Sequence, residues 1–254
     1  MSHKSYTTTP DKEEKKQREL ERRVLVLLKK HRPLVSSLVT SSKKEAIILI
    51  GGGGHCRSCI DVIEMEGRFA IRGILDANES LGHPILTHDL LGKEEDVQKL
   101  NKTYRHFFVT VGQIKEWAPR VRLYNYLKSL PVMIPTIISP LAHVSKYAVL
   151  GEGSIVMHQA IVNSGAHVGN NCIINSNALI EHDAVIEDHC HISTAAVVNG
   201  GTTVKRCSFV GSNAVIREGI EVGEACIIGA GVAVMHSLQS GSLQKYSPLL
   251  TAEF

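Results

Sequence analysis

The 254-residue sequence has no long hydrophobic run. None of its apolar stretches approaches the roughly 20 residues that a membrane-spanning helix needs. The apolar run at residues 24–28 is only five residues long and has charged neighbours, which makes it too short for the core of a signal peptide. We therefore expect no integral membrane segment and a cytoplasmic location.

Aromatic residues are scarce, at 5% of the chain, and they are not interleaved with the basic residues of the N-terminal segment. The positive charge is concentrated in residues 1–43, where eleven Lys or Arg and five Asp or Glu give a net of +6, which leaves −3 for the rest. A partly ordered, solvated tail or a packing helix over 11–34 is the main interpretation of this extension. A membrane-surface or acidic-partner role is a weaker alternative. Because aromatics are not interleaved with the basic residues, no nucleic-acid partner is expected.

The chain contains an uninterrupted repeat of six residues. From Ile138 to Val234 every sixth residue is aliphatic, and in most repeats a small residue follows four positions later. A period of six fits neither a helix nor simple strand alternation. It is typical of a hexapeptide β-solenoid, in which each short strand buries one aliphatic and one small residue. Three hexapeptides form one triangular coil, so residues eighteen apart are expected to stack.

The six cysteines do not indicate a disulfide framework. Cys172, Cys190 and Cys226 fall on the small inward position of the repeat, where cysteine packs as a small apolar residue. Cys56 and Cys59 form a C-x-x-C pair, which can be redox-active or half of a zinc site. No second pair accompanies them in the sequence, so ordinary packing is the favoured interpretation.

Three segments follow the basic extension. Residues 44–136 alternate strand-like and helix-like patterns and predict a small Rossmann-like α/β domain. Its predicted strands are 45–50, 69–75 and 107–111, and its predicted helices are 56–66 and 114–130. Residues 137–236 form the solenoid. In residues 237–254 the six-residue spacing is lost, and this segment is expected to cap the open end of the last coil.

The carboxyl ends of the predicted strands carry glycines and one acidic residue. The run GGGGH follows the first strand, Asp76 ends the second, and Gly112 follows the third. Ligands of parallel sheets bind at these ends, so the three positions are expected around one crevice. The glycines match the dinucleotide fingerprint only in part. They suit a nucleotide-sugar as well as a dinucleotide, and a tight turn without a ligand is a further alternative.

One histidine of the solenoid is flanked by carboxylates. His182 lies between Glu181 and Asp183 in the segment IEHDAV. A carboxylate beside an imidazole orients its tautomer and raises its basicity, as a general base requires. Most other solenoid histidines are expected on solvent-facing turns. His191 follows nine residues later, on another side of the predicted coil, so these two histidines can share a site only if two subunits pack side by side.

Together these segments resemble one known family. The pattern GGGGHxxxxxDxI after the first strand, the strand ends Leu-Asp and Val-Gly, and a solenoid that carries IEHD and HIS are similar to those of the PglD/NeuD-type sugar acyltransferases. The resemblance covers about residues 45–236. It implies a left-handed parallel β-helix, acetyl-CoA as cosubstrate, and a homotrimer with active sites between adjacent subunits.

The resemblance also implies roles for individual residues. His182 is expected to be the general base, Asp183 the acid that raises its basicity, and His191 a contact of acetyl-CoA near the thioester. The family's coenzyme A groove falls on Gly200, Ser212 and Ala230. Its nucleotide-sugar site falls on Gly53, Gly54, His55, Asp76, Ala77 and Gly112.

The implied reaction is transfer of an acetyl group to the amine of a nucleotide-linked 4-amino-4,6-dideoxy sugar of the bacillosamine, perosamine or viosamine type, in surface glycan biosynthesis. The amine attacks directly within a ternary complex, so neither an acyl-cysteine nor a metal is needed. O-acetylation of a sialic acid is the main alternative. More distant alternatives are a non-catalytic solenoid and a zinc enzyme that uses His158, His182 and His191.

Two segments depart from the family pattern. The family follows its last coil with a Gly-x-Pro-Ala-Arg/Lys segment that helps to bind coenzyme A, whereas this chain has GSLQKYSPLLTAEF. The basic extension 1–43 has no counterpart in the shorter members. We therefore expect the coenzyme A site of this chain to differ at its C-terminal end.

Overall fold

The structure, a computed structural model, describes residues 44–77 and 84–245. The predicted basic extension, residues 1–43, and the end of the predicted cap lie outside the described residues. Within them, an α/β domain is followed by a β-solenoid.

The α/β domain is built on a parallel sheet of four strands. These are β1 (Glu45–Ile50), β2 (Phe69–Leu75), β3 (Leu90–Gly92) and β4 (His106–Val109). Their order in the sheet is β3-β2-β1-β4, so strands are added on opposite sides of β1. The last four residues of β1 are buried, as its continuous apolar run predicts. The ligand crevice of such sheets lies at the carboxyl ends of the strands, beside this switch point.

Helices connect these strands. They are α1 (Gly54–Glu66), a 3-10 turn (Glu94–Asp96), α2 (Val97–Leu100) and α3 (Ala118–Lys128). The predicted start at residue 114 is wrong, because Pro119 favours the first turn of a helix and disfavours its interior. The elements between residues 90 and 100 escape prediction, since three or four residues show no periodicity. No helix of the described segments is long and apolar enough to cross a membrane.

The solenoid consists of two-residue strands in three parallel sheets. The seven-stranded sheet contains Ile137–Ile138, Ile155–Val156, Ile173–Ile174, His191–Ile192, Phe209–Val210, Ile227–Ile228 and Leu243–Gln244. The six-stranded sheet contains His143–Val144, Ile161–Val162, Leu179–Ile180, Val197–Val198, Val215–Ile216 and Ala233–Val234. The five-stranded sheet contains Val149–Leu150, His167–Val168, Val185–Ile186, Thr203–Val204 and Glu221–Val222.

Strands stack at the eighteen-residue interval that the period predicts. Ile173, for example, pairs with Ile155 on one side and with His191 on the other. In every strand but the last, the second residue points inward, where it packs with the small residues of the turns in a core that continues from coil to coil. The architecture is a left-handed parallel β-helix, which confirms the predicted fold class.

The last coil is two residues shorter than the others. Leu243 pairs with Ile227 and Leu238 bridges to Val222, and both partners lie sixteen residues earlier. The seven-stranded sheet therefore continues past residue 236, the predicted end of the solenoid. A shortened coil no longer matches a period of six, which is why the sequence pattern stops before the structure does.

The α/β domain packs against the outer side of the seven-stranded sheet. Ile137, Ile155 and Ile173 point outward from that sheet and are buried in one hydrophobic cluster with α1. Arg120 of α3 is also buried here, and its guanidinium donates hydrogen bonds to backbone carbonyl oxygens of both parts. A shared core and a buried cation thus fix the α/β domain on the solenoid.

Candidate active site

The predicted site residues of the solenoid lie at its corners. The turns from the seven-stranded to the six-stranded sheet form the first corner, which contains Asn175, Ser193, Ser212 and Ala230. The turns from the six-stranded to the five-stranded sheet form the second corner, which contains His182, Asp183 and Gly200. The turns back to the seven-stranded sheet form the third corner, which contains His189 and Cys207. The first corner precedes each strand of the six-stranded sheet, and the second corner follows it, so the two corners lie at opposite ends of these strands.

His182 and Asp183 form a hydrogen-bonded pair on the second corner. The Nδ1 atom of His182 lies 3.0 Å from Oδ2 of Asp183, and both side chains are largely exposed. Because an ionised carboxylate only accepts, Nδ1 carries the proton and Nε2 is left as a base. The hydrogen bond to Asp183 raises the pKa of His182, and the charge of Glu181 acts in the same direction.

Two glycines from neighbouring coils flank this pair. Gly200 lies one coil after His182, and a Cβ atom added there would be 2.7 Å from both Cε1 and Nε2 of the ring. Gly165 lies one coil before Asp183, and a Cβ atom added there would clash with Oδ1 of the carboxylate. In their observed positions the two side chains therefore leave no room for a Cβ atom at Gly165 or Gly200. The motif IEHD does not reveal Gly165, but the eighteen-residue register does.

His191 lies on a strand and is buried beneath the α/β domain, unlike a histidine on a solvent-facing turn. Its Nδ1 is hydrogen-bonded to the backbone oxygen of Gln113, and Nδ2 of Asn175 lies 3.3 Å from its Nε2. Burial lowers the pKa of His191 to about 4, so the ring is neutral at pH 7. Neither Gln113 nor Asn175 belongs to a motif that the sequence singles out.

His55 approaches His191 from the α/β domain. It stands in the first turn of α1, and the centroids of the two rings are 6.4 Å apart. A Cβ atom added at Gly112 would be 3.3 Å from the Cβ of His55, so these two residues are in contact. Burial lowers the pKa of His55 to about 3. Its Nε2 is buried and has no hydrogen-bond partner within residues 44–77 and 84–245, so the hydrogen-bonding capacity of this nitrogen is unused.

The glycine loop between β1 and α1 lies at the carboxyl edge of the sheet. Gly52 donates its backbone N–H to Oδ2 of Asp76, which fixes the loop against the end of β2. Gly53 and Gly54 are exposed, and a Cβ atom added at either would meet no atom within 4 Å. Open backbone at the start of a helix is a favourable place for an anionic group.

A cavity of about 170 Å³ adjoins the glycine loop. Asp76 and Ala77 line one side of it. Arg122 and Glu94, which form an ion pair, line another. The predicted nucleotide-sugar residues thus all lie along the carboxyl edge of one sheet.

The predicted coenzyme A residues divide between two corners. Ser212 and Ala230 lie on the first corner, where the hydroxyl oxygen of Ser212 is 3.0 Å from that of Ser193 and Ala230 is exposed. Gly200 lies on the second corner, against His182. Within one chain, the strands of the six-stranded sheet therefore separate His182 and Gly200 from Ser212 and Ala230.

Five of the six cysteines are packing residues, and Cys207 is partly exposed. All six are unpaired, and Cys56 and Cys59 are buried in the cluster between α1 and the solenoid. Burial raises the pKa of Cys56 to about 11, so its thiol is protonated and unreactive at neutral pH. Cys172, Cys190 and Cys226 are buried in the solenoid core, at the small position predicted from the repeat.

The histidines of the zinc alternative have separate partners. His158 contacts Ser139 at 2.6 Å and Asp61 at 2.8 Å. His182 is paired with Asp183, and His191 lies under the α/β domain. In the part of the chain that the structure describes, no three His, Cys, Asp or Glu residues are grouped so as to hold a metal ion.

Comparisons with known proteins match both parts of the chain. Residues 46–127 match the PglD N-terminal domain, and residues 147–182 match the bacterial transferase hexapeptide (six repeats). No curated protein matches the sequence significantly.

Solved structures are similar over most of the chain. A single-site variant of perosamine N-acetyltransferase from Caulobacter crescentus, in complex with CoA and GDP-perosamine, is 27% identical, with a TM-score of 0.73 over 78% of this chain and 92% of its own. The acetyltransferase domain of PglB from Neisseria gonorrhoeae, in complex with acetyl coenzyme A, is 25% identical, with a TM-score of 0.73 over 79% and 95%. WeeI from Acinetobacter baumannii, 19% identical with a TM-score of 0.68 over 79% and 96%, has the same fold.

These matches agree with the motifs of the sequence. A PglD-type α/β domain and a hexapeptide solenoid follow one another in the chain, and its structural neighbours are sugar acetyltransferases. Both parts of the chain are therefore similar to the PglD/NeuD-type sugar acyltransferases.

Proposed function

We propose that this chain is an acetyl-CoA-dependent N-acetyltransferase. Its substrate is the amine of a nucleotide-linked 4-amino-4,6-dideoxy sugar, for surface glycan biosynthesis. The observation that carries the proposal is the exposed pair of His182 and Asp183, which leaves Nε2 as a base. An attacking amine must lose a proton when an amide forms, and a general base of this kind removes it. The similarity to an enzyme crystallised with CoA and GDP-perosamine supports the same chemistry.

The nucleotide-sugar is assigned to the crevice of the α/β domain. Gly53 and Gly54 offer open backbone at the N-terminus of α1, where N–H groups and the helix dipole favour phosphates. The other assigned contacts are His55, Asp76, Ala77 and Gly112. His55 adds a buried ring nitrogen without a hydrogen-bond partner beside this crevice.

Acetyl-CoA is assigned to a groove between the first corner of one subunit and the second corner of the next. Ser212 and Ala230 line the first corner and Gly200 lies on the second, and each has a small side chain or none. His191 contacts the coenzyme near the thioester. A cytoplasmic location fits the use of acetyl-CoA and the unpaired cysteines.

Acetyl transfer proceeds by direct attack. The amine lone pair forms a bond to the thioester carbonyl carbon while the carbonyl electrons move to oxygen. Nε2 of His182 takes the proton that the nitrogen loses, and Asp183 stabilises the resulting imidazolium. Collapse of the oxyanion breaks the C–S bond, and the thiolate accepts the proton from His182 as it leaves. No acyl-enzyme forms, so the cysteines take no part.

The active unit is proposed to be a homotrimer. One chain cannot bring its first and second corners together, because they lie at opposite ends of the strands of one sheet. The outer face of that sheet is apolar in five of its six strands, the exception being His143; the apolar outward residues are Ile161, Leu179, Val197, Val215 and Ala233. Ile161 and Val215 are 38% and 40% exposed. A closed ring of copies buries this face and joins each first corner to the second corner of its neighbour.

A thiol-release assay tests the proposed reaction. Acetyl-CoA is incubated with 4-amino-4,6-dideoxy sugars linked to UDP, dTDP or GDP, and with sialic acids. We expect turnover on one nucleotide-linked amine, and its loss in His182→Ala. Turnover on sialic acid alone would reassign the chain to O-acetylation, and the absence of both turnover and coenzyme A binding would refute the proposal.

A further inference from the structure

A cleft of about 250 Å³, the α3 cleft, lies between helix α3 and the third corner of the solenoid. On the helix side it is lined by Trp117, which immediately precedes α3, and by Val121 one turn later. On the solenoid side it is lined by Asp188 and Arg206 of the third corner. The third corner lies opposite the six-stranded sheet that the proposed trimer buries. The α3 cleft is therefore separate from the candidate active site.

Asp188 and Arg206 are stacked neighbours of opposite charge. They are eighteen residues apart, so they occupy the same position in successive coils, whose backbones are about 4.8 Å apart. Each side chain nevertheless bonds to the residue on its other side. Oδ1 of Asp188 accepts the backbone N–H of Asn170 at 2.7 Å and its side-chain amide at 3.2 Å, one coil earlier. Nε of Arg206 donates to Oε2 of Glu224 at 3.2 Å, one coil later.

The two charges that line the α3 cleft therefore do not neutralise each other. Asp188 forms no ion pair with the described residues, and its Oδ2 accepts no hydrogen bond from them. The terminal nitrogens of Arg206 likewise have no partner in residues 44–77 and 84–245. His189 also lines the cleft, but burial lowers its pKa, so it adds no charge at pH 7. The cleft thus combines an unused carboxylate oxygen, an unused guanidinium edge and an apolar wall.

We propose that the α3 cleft binds a free α-amino acid with an apolar side chain, as its zwitterion. The ammonium group donates to Oδ2 of Asp188, the carboxylate accepts from the terminal nitrogens of Arg206, and the side chain packs against Trp117. A zwitterion satisfies both charges, whereas a simple cation or anion satisfies one and is repelled by the other. Pockets for drug-sized ligands measure roughly 300–1,000 Å³, so this smaller cleft favours a molecule of amino-acid size.

Trp117 is the only tryptophan of the chain, so its fluorescence reports on the α3 cleft. The intact protein is titrated with L-leucine, and binding is followed by tryptophan emission and by calorimetry. We expect a saturable signal in both. Two analogues test the charges, since L-leucinamide lacks the carboxylate and 4-methylpentanoate lacks the ammonium group. Each should bind at least about tenfold more weakly than leucine, because it loses one charge-assisted contact.

Substitutions assign each charge to its partner. Asp188→Asn should bind leucine and 4-methylpentanoate alike, because an amide NH2 cannot accept from an ammonium group. Arg206→Gln should bind leucine and leucinamide alike. The matched controls are Glu187→Gln and Lys205→Gln, which remove the same charges from neighbouring residues outside the lining of the cleft. Both controls should keep the preference for leucine over its analogues.

Three outcomes would overturn the proposal. The first is no binding of leucine by either measurement. The second is heat of binding without a change in tryptophan emission, since leucine would then bind elsewhere. The third is equal binding of leucine and its two analogues, which would mean that the cleft does not recognise charge. His182→Ala should bind leucine like the unaltered protein, so this proposal stands or falls independently of acetyl transfer.

Discussion

The imidazole of His182 lies against Gly200, the residue one coil further along the chain, so closely that a methyl group on Gly200 would be 2.7 Å from the ring. On the other side of the pair, Gly165 leaves room for the carboxylate of Asp183. The position of the base thus depends on neighbouring coils as much as on its own motif.

Gly200→Ala should displace the ring of His182 and lower kcat by about a hundredfold, the effect of a small misplacement of a catalytic group. Its backbone conformation is open to alanine, so the melting temperature should change little. Gly201→Ala is the matched control. Gly201 has φ 65° and no atom near its Cβ position, so alanine there should cost about 1–2 kcal/mol of stability and leave kcat nearly intact. An active Gly200→Ala would show that the ring does not need its observed position.

His182→Ala should lower turnover by two orders of magnitude or more without unfolding the protein, given what general bases contribute. His167→Ala is a suitable control, since His167 is an exposed histidine of the same solenoid outside the candidate site. Turnover is measured by thiol release at saturating substrates. Near-normal turnover of His182→Ala would remove this residue from the mechanism.

The pH dependence of turnover should report the titration of His182 in its pair with Asp183. The base acts in its deprotonated form, so the rate rises as the pH passes through the pKa of His182, which the hydrogen bond to Asp183 raises above its ordinary value. In Asp183→Asn that support is lost and the acid limb of the profile should move to lower pH, with a lower maximum. The charge of Glu181 remains and keeps part of the shift. An unmoved acid limb would mean that another group titrates.

Mixed trimers should regain activity if sites lie between subunits. His182→Ala damages the second corner, and Ala230→Trp fills the groove at the first corner. Each variant alone should be inactive, but one site in every mixed trimer joins two intact corners. Random mixing should therefore restore about a quarter of the sites. A mixture as inactive as its components would place the site within one chain.

Alkylation should leave the enzyme active. Five of the six cysteines are buried, and Cys207 is the partly exposed exception. Native protein treated with iodoacetamide should take up at most one label, against six after unfolding, and thiol release from acetyl-CoA should continue. Inactivation that follows labelling of Cys56 would revive a catalytic role for the C-x-x-C pair.

The solenoid and the strands β1 and β2 can be predicted from the sequence. A period of six directly marks the inward positions, and a continuous apolar run marks a buried strand. His182 and Asp183 are adjacent in the sequence, so their pairing can be predicted too. The roles of Gly165 and Gln113 cannot be predicted in this way, because their contacts arise from stacking of coils and from docking of the α/β domain. No local pattern records either event.

The last coil is two residues shorter than the others, and this affects whether a second copy can extend the β-helix at its end. A β-helix of equal coils presents at its end a row of backbone groups that another copy could extend, which is the route to fibres. Here the final turn narrows, with one bridge at Leu238 where the earlier coils have a two-residue strand. A narrowed end is a poor template for a further coil. The shortened last coil therefore disfavours end-to-end growth of the β-helix.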